Sequence, residues 1–167
     1  EEHPTDRDNY KYKRIETPGI LLKELFREYY LMMKKSFLLD MDKRYYYKKG
    51  YNELNFINLL QLEYKDYFKT RIVEEGFRKA FKGNWGAQSH TKRVGVVQDL
   101  NILSFVSALS HKRKLNLPMD STAKIVEPRL LNGSQWGYID PVDSPDGGNI
   151  GLHKHMAMSC EITTGYS

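Results

Sequence analysis

The sequence of 167 residues contains a single cysteine, Cys160. One thiol cannot form an internal disulfide, and it cannot supply the several cysteine ligands of a structural zinc site. Long hydrophobic runs are also missing, because the apolar-rich stretch 20–39 is interrupted by six charged side chains. A membrane-spanning helix needs about 20 mainly apolar residues. The sequence therefore excludes a disulfide-stapled secreted domain and predicts no membrane anchor.

The first residues, Glu1-Glu2-His3-Pro4, have neither the apolar core of a signal peptide nor the character of a transit peptide. They also lack a methionine, so we expect the chain to be a segment of a longer protein. Charge is only mildly unbalanced, with 26 basic and 21 acidic residues and a net charge of +5. An excess of this size permits contact with nucleic acid but does not require it.

Hydrophobic periodicity predicts three helices. Thr17 followed by proline is typical of a helix N-terminus, and apolar residues then recur at three- and four-residue spacing over 18–39. Similar patterns predict a second helix over 66–82 and a third over 96–109. Residues 116–167 contain many turn formers and short apolar runs, so we expect irregular structure with short strands there.

The second predicted helix has one apolar face, formed by Val73, Phe77, Ala80 and Phe81. Gly83 follows it directly, and glycine is common at the position where a helix ends. We therefore expect this face to be buried and the helix to end at Gly83.

Acidic and histidine residues in the last third of the chain raise the question of a metal site. Asp140, Asp143 and Asp146 recur at every third residue, among prolines and glycines. This pattern lacks the ligand ladder of a calcium-binding loop, so a turn-rich acidic loop is the favoured interpretation. His153 and His155 would share one face of a strand, which is weak support for a metal. No catalytic triad or phosphate-binding glycine loop is present.

A binding function has better support near the third predicted helix. Gln98 and Asn101 would lie on one face of that helix, with His111, Arg113 and Lys114 just past its end. Amide, imidazole and guanidinium groups suit contacts with phosphate and sugar. A helix end with solvated charges explains the same residues equally well, so both interpretations stay open at this point.

Several motifs resemble the second-largest subunit of multisubunit RNA polymerases. The string from Arg93 to Pro118, RVGVVQDLNILSFVSALSHKRKLNLP, resembles the fork region of that family. Four further strings resemble family motifs in the same order along the chain: Asp6-Arg7-Asp8-Asn9-Tyr10, Gly83-Asn84-Trp85-Gly86, Pro141-Val142-Asp143-Ser144-Pro145-Asp146-Gly147 and Asn149-Ile150-Gly151-Leu152. The second of these favours the eukaryotic–archaeal branch of the family, and the composition would also suit a large DNA virus.

The resemblance implies an α+β fold in two parts. Residues 1–82 would be the C-terminal part of the helical protrusion domain. Residues 83–167 would be the fork, with one long helix, loops and short strands. Within the fork, the first fork loop would occupy about 88–93 and the second fork loop about 119–124.

The resemblance also implies roles for individual side chains. Contacts with the RNA–DNA hybrid would come from Lys92, Arg93, Gln98, Arg113 and Lys114. The loop at the downstream DNA would present Lys124. An arginine and an acidic residue, Arg129 and Asp143, would lie near the incoming nucleotide without ligating a metal directly.

The function implied is that of part of a DNA-directed RNA polymerase, a nucleotidyltransferase, with no activity of the segment alone. Its partners would be the largest subunit, other polymerase subunits, template DNA, nascent RNA and nucleoside triphosphates. Magnesium would be held mainly by the largest subunit, because the segment lacks that subunit's aspartates. Localisation would be nuclear, or cytoplasmic if the source is viral. Two alternatives stay open: a free-standing nucleic-acid or protein interaction module derived from this fold, and a naturally split polymerase subunit.

Overall fold

The computed structural model of the chain describes residues 5–47, 57 and 67–163. This part contains helices and a small antiparallel sheet, which confirms the predicted α+β class. The elements, in chain order, are α1 (Pro18–Tyr47), α2 (Arg71–Phe81), α3 (Phe105–Lys112), β1 (Lys114–Asn116) and β2 (His153–His155). None of the described helices combines the length and the apolar character that crossing a membrane requires.

The described residues form two compact units. The helical unit spans the described residues from 16 to 99, and the sheet unit combines residues 5–15 with residues 100–163. This division differs from the domains predicted at 1–82 and 83–167, which stay a prediction about the family's domain borders.

The core of the helical unit lies where α1 crosses α2. Leu25 and Tyr29 of α1 are buried against Ala80 of α2 and against Trp85. Gly76 of α2 is also buried, and the ring of Tyr29 occupies the space that a side chain would need there. Burial of these apolar surfaces is the main term that holds the two helices together.

Helix α1 is longer than the periodicity predicted, because it continues past residue 39 to Tyr47. No glycine or proline follows Gly19 within it, and its last turns contain good helix formers such as Lys43 and Arg44. Arg44 also gives these last turns a packing partner, since its guanidinium lies 4.8 Å from the centre of the Tyr67 ring.

Helix α2 begins later than predicted, at Arg71, while Asp66 lies outside the described residues. The prediction that its apolar face is buried is confirmed for Ala80 and for the half-buried Val73 and Phe77. It is wrong for Phe81, which is exposed. The predicted end is confirmed. Gly83 has a φ of +102°, and its N–H donates to the carbonyl of Ala80 at 3.0 Å.

The long third helix predicted over 96–109 is wrong, since α3 contains only eight residues, Phe105–Lys112. Asn101 turns the chain before the helix: its side-chain oxygen accepts from the N–H of Leu103 at 3.1 Å. Ser104 then caps α3 by accepting from the N–H of Ser107 at 3.1 Å. Short polar side chains that bond nearby backbone compete with helix in this way.

The sheet unit is built around the pairing of β1 with β2. The strands are antiparallel, and Leu115 lies opposite Lys154. An isolated antiparallel bridge joins Ile139 to Met156, the residue after β2, and so places a further segment beside the end of that strand. Short 3-10 turns and loops make up most of its other described residues, as the sequence predicted for this part of the chain.

Lys154 is unusual because it is buried, with 7% of its surface exposed. Its Nζ lies 5.8 Å from the centre of the Tyr10 ring. With the amide of Gln135 turned so that its oxygen faces the lysine, that oxygen accepts from Nζ at 3.3 Å. Burial lowers the pKa of Lys154, and the charge of Lys13 lowers it further.

Candidate nucleic-acid interface

A backbone hydrogen bond closes the base of the predicted first fork loop, residues 88–93. The N–H of Arg93 donates to the carbonyl of Trp85 at 3.1 Å in an antiparallel bridge. Gly86 stands at the turn with a φ of +94°, and a Cβ there would lie 2.4 Å from the carbonyl oxygen of Thr91. Only glycine permits this close approach, so the loop folds back on itself.

The same loop is fastened to α1 through one carboxylate. Oε1 of Glu28 accepts from the hydroxyl of Thr91 at 2.6 Å and from the N–H of Gln88 at 3.0 Å. Charge-assisted hydrogen bonds of this kind are stronger than neutral ones. The loop therefore has a fixed position on the helical unit.

Within this loop, the two predicted hybrid contacts differ in their environment. The guanidinium of Arg93 pairs with Glu16, using both of its terminal nitrogens. The hydrogen bond from Arg93 lowers the pKa of Glu16, and the same bond raises the pKa of Arg93. Lys92 is exposed and makes no hydrogen bond or ion pair with the described residues.

Gln98 does not lie on a helix, so the predicted helical face shared with Asn101 is wrong. Its side-chain amide donates to the carbonyl of Gly95 at 2.8 Å. His111 lies inside α3 rather than past it, and its Nδ1 accepts from the backbone N–H of Asn101 at 3.1 Å. That bond between residues ten apart could not be read from the local pattern.

Arg113 is the C-cap of α3 and ties down the chain that follows β2. One terminal nitrogen donates to the carbonyl of Ala157 at 2.6 Å, and it also approaches the carbonyls of Met158 and Cys160. Lys114, the next residue, opens β1 and is half-buried. Arg113 thus has a structural task that the sequence did not indicate.

The predicted second fork loop, residues 119–124, turns around an aspartate. Oδ1 of Asp120 accepts from the N–H of Thr122 at 2.9 Å, and hydrogen bonds from Thr122 lower the pKa of this carboxyl. Lys124 follows the turn, is exposed, and has no hydrogen bond or ion pair within the described part of the chain. The loop therefore presents an ammonium group that no described residue pairs with.

Arg129 joins this loop to the glycine-rich turn at residues 147–150. One terminal nitrogen donates to the carbonyl of Ser121 at 2.8 Å. The other donates to the carbonyls of Gly148 at 2.7 Å and Ile150 at 2.9 Å. The planar guanidinium, with its fork of donors, suits a bridge between two backbone segments.

Asp143 lies in an exposed loop beside β2. Nδ1 of His155 is 3.1 Å from its carbonyl oxygen and 3.3 Å from its carboxylate. Asp140 organises the loop, since its Oδ1 accepts from the N–H of Val142 at 2.9 Å. In the described part of the chain, no three His, Cys, Asp or Glu side chains come together as a metal site.

The predicted site residues are divided between the two units. Lys92, Arg93 and Gln98 belong to the helical unit, and the other five belong to the sheet unit: Arg113, Lys114, Lys124, Arg129 and Asp143. Sequence reasoning missed the residues that hold these side chains and loops, above all Glu16, Glu28 and Ser121. It considered His155 only as a metal ligand.

Comparisons with known proteins agree on one family. Residues 98–162 match the family model described as RNA polymerase Rpb2, domain 3. The chain is 37% identical over 168 residues to DNA-directed RNA polymerase II subunit RPB2 of Encephalitozoon cuniculi, and 37% identical over 162 residues to DNA-directed RNA polymerase II subunit 2 of Arabidopsis thaliana. It is 28% identical over 160 residues to DNA-directed RNA polymerase subunit Rpo2N of Methanococcus vannielii.

These matches cover nearly the whole chain but only a small share of each relative. They span 99%, 96% and 95% of the chain, against 14%, 13% and 29% of the three relatives. Eukaryotic and archaeal proteins both match, as the motif at residues 83–86 predicted. The chain corresponds to a segment of a second-largest RNA polymerase subunit, and it belongs to that family.

Proposed function

We propose that this chain lines the active-site cleft of a DNA-directed RNA polymerase, where it contacts the RNA–DNA hybrid and the downstream edge of the transcription bubble. On its own it would have no activity, since phosphoryl transfer requires groups that the described residues do not assemble. Its partners would be the largest subunit, other polymerase subunits, template DNA, nascent RNA and nucleoside triphosphates. Because relatives include subunits of RNA polymerase II, we also propose a nuclear site of action.

The observation that carries the proposal is the pair of exposed lysines on two fixed loops. Lys92 lies in a loop fastened by Glu28, and Lys124 follows a turn held by Asp120 and Arg129. Neither ammonium is neutralised by a described residue. A positive charge on a fixed loop suits a phosphate backbone, whose contacts determine the position of a protein along nucleic acid.

The other predicted hybrid contacts would play lesser parts. Arg93 shares its charge with Glu16, and one terminal nitrogen of Arg113 is occupied by carbonyls. Gln98 and Lys114 would add polar contacts of their own. We therefore propose that Lys92 contributes more to hybrid binding than Arg93 does.

Arg129 and Asp143 would act near the incoming nucleotide. Magnesium would be held mainly by the largest subunit, where it would stabilise charge on the transferring phosphoryl group. The described residues of this chain do not form a cluster of three acidic or imidazole ligands. Asp143 would therefore act beside an ion held elsewhere, and Arg129 would hold the two neighbouring loops.

The test compares the parent polymerase with its Lys92→Ala and Lys124→Ala variants, each assembled on an RNA–DNA scaffold. The stability of the elongation complex is measured as a function of salt concentration. Each lost phosphate contact should make the slope of log affinity against log salt shallower by about 0.9. We expect weaker binding in both variants, with the same loss on scaffolds of different sequence.

Lys23→Ala is the matched control, because Lys23 is an exposed lysine of α1 with no predicted contact to nucleic acid. It should leave the salt slope unchanged. If Lys92→Ala and Lys124→Ala also leave both affinity and slope at the parent's values, the proposed hybrid and downstream-DNA contacts are wrong.

A further inference from the structure

We propose that His155 is a positioning residue, which holds Asp143 in the orientation needed for nucleotide addition. The proposal rests on the function proposed above for Asp143. It starts from the short distances between one ring nitrogen of His155 and two oxygens of Asp143.

The geometry assigns a donor to Nδ1 of His155. This atom lies 3.1 Å from the carbonyl oxygen of Asp143 and 3.3 Å from its carboxylate oxygen. Both oxygens accept hydrogen bonds, so Nδ1 must carry the hydrogen whether the ring is neutral or protonated. One N–H therefore fixes both the backbone and the side chain of Asp143.

The backbone of His155 holds the other end of the same loop. Its carbonyl accepts from the N–H of Asp140 at 2.9 Å. Oδ1 of Asp140 in turn accepts from the N–H of Val142 at 2.9 Å and is 3.4 Å from the N–H of Asp143. The loop from 140 to 143 is thus fastened to His155 at both ends.

Burial explains why the orientation depends on this contact. The side chain of Asp143 is 52% exposed, whereas that of His155 is 14% exposed and lies on β2. Val142, the neighbour of Asp143, is 85% exposed and cannot anchor the loop by packing. A carboxylate on such a loop keeps its direction through its bond to a side chain held in the sheet.

The test uses substitutions that separate the donor from the bulk of the ring. In the polymerase that carries this segment, His155→Asn keeps an N–H close to the position of Nδ1, while His155→Gln moves its amide one carbon further out. We expect His155→Gln to reduce kcat for single-nucleotide addition about tenfold, with a smaller change in KM, because misplacing a reacting group costs rate. His155→Asn should recover most of the parent's kcat.

A double-mutant cycle with Asp143→Ala measures the coupling. If His155 acts through Asp143, adding His155→Gln to Asp143→Ala should cause no further loss of kcat. His153→Gln is the matched control, since His153 lies two residues away on β2 and its Nδ1 has no hydrogen-bond partner among the described residues. His153→Gln should leave kcat unchanged both in the parent and in the Asp143→Ala variant.

The outcomes distinguish the two proposals. If Asp143→Ala alone leaves nucleotide addition at the parent's rate, the function proposed for Asp143 is wrong. If Asp143→Ala slows addition and the losses are additive, or if His155→Gln equals His155→Asn, the positioning role of His155 is wrong while that function stands.

Discussion

Close contacts at single residues limit which substitutions this chain tolerates. The clearest case is Gly76 in α2, which faces the ring of Tyr29 on α1. A Cβ at Gly76 would lie 2.5 Å from two atoms of that ring. Tyr29 is itself 7% exposed and packed among Leu25, Ala80 and Trp85, so its ring has little room to move. The two helices therefore approach each other at a point where only glycine fits.

Gly76→Ala should lower the free energy of unfolding of the chain by about 1–3 kcal/mol, the usual cost of overpacking a core. The better helix propensity of alanine offsets part of that loss. Gly19→Ala is the control: Gly19 lies in the first turn of α1, and no atom lies within 4 Å of a Cβ built there. Urea unfolding measures both variants. Equal stability of Gly76→Ala and the parent would show that Tyr29 does not pack as described.

At the scale of an element, the pairing of β1 with β2 places basic groups side by side. His153 of β2 lies opposite Asn116, and His155 lies opposite Lys114. Burial lowers the pKa of His153, and the charges of Lys114 and His155 lower it further. The folded sheet therefore favours the neutral ring of His153.

This shift predicts how the stability of the sheet unit depends on pH. Because the folded pKa of His153 is lower than its ordinary value of 6.5, the unfolded chain binds more protons just below that pH. The free energy of unfolding should be highest above pH 6.5 and should fall as the pH drops toward the folded pKa.

Urea unfolding at several pH values between 7 and 5 measures this loss. His153→Gln should flatten the dependence, whereas the exposed His90→Gln should keep the slope of the parent. A slope that is unchanged in His153→Gln would mean that other groups cause the pH dependence.

Elements whose ends depend on local signals were predictable, and those set by distant contacts were not. Thr17 with its following proline, and Gly83 at a positive φ, mark helix ends that the sequence located. The start of α3 combines the local bonds of Asn101 and Ser104 with a longer one, from the backbone N–H of Asn101 to Nδ1 of His111 ten residues later. No hydrophobic periodicity shows that longer bond.

The same limit applies to the candidate site. The basic residues and their order along the chain were visible, because they carry the family resemblance. The sequence did not show which of these basic side chains already form ion pairs or hydrogen bonds within the chain. Glu16 is 77 residues from Arg93, and the carbonyls that bind Arg113 lie 44 to 47 residues after it.

At the scale of the whole molecule, the first residues belong with the last third of the chain. The N–H of Tyr10 donates to the hydroxyl of Ser134 at 2.9 Å, and the amide of Asn132 donates to Asp6 at 3.1 Å. The Tyr10 ring also lies near the ammonium of Lys154. Residues 5–15 thus contribute to the sheet unit although the whole helical unit, residues 16–99, separates them from the rest of it along the chain.

Removal of residues 1–15 should therefore destabilise the sheet unit selectively. We expect faster hydrogen exchange at the amides of residues 130–139, with little change in α2. Peptide-resolved mass spectrometry measures both regions in one experiment. Ser134→Ala should also make hydrogen exchange at residues 130–139 faster, but by a smaller factor than the truncation does. Faster exchange in α2 alone would instead support a structural border near residue 82.

The hydrogen bonds of Arg113 and Arg129 also determine the electrostatic potential around these two side chains. Their partners are carbonyl oxygens, which hold a guanidinium in place but carry no net charge to cancel it. Arg93 differs, since the carboxylate of Glu16 compensates it. Arg113 and Arg129 are therefore stationary sources of positive potential, oriented before any anion arrives. An approaching phosphate would meet a field that needs no rearrangement of the protein to act on it.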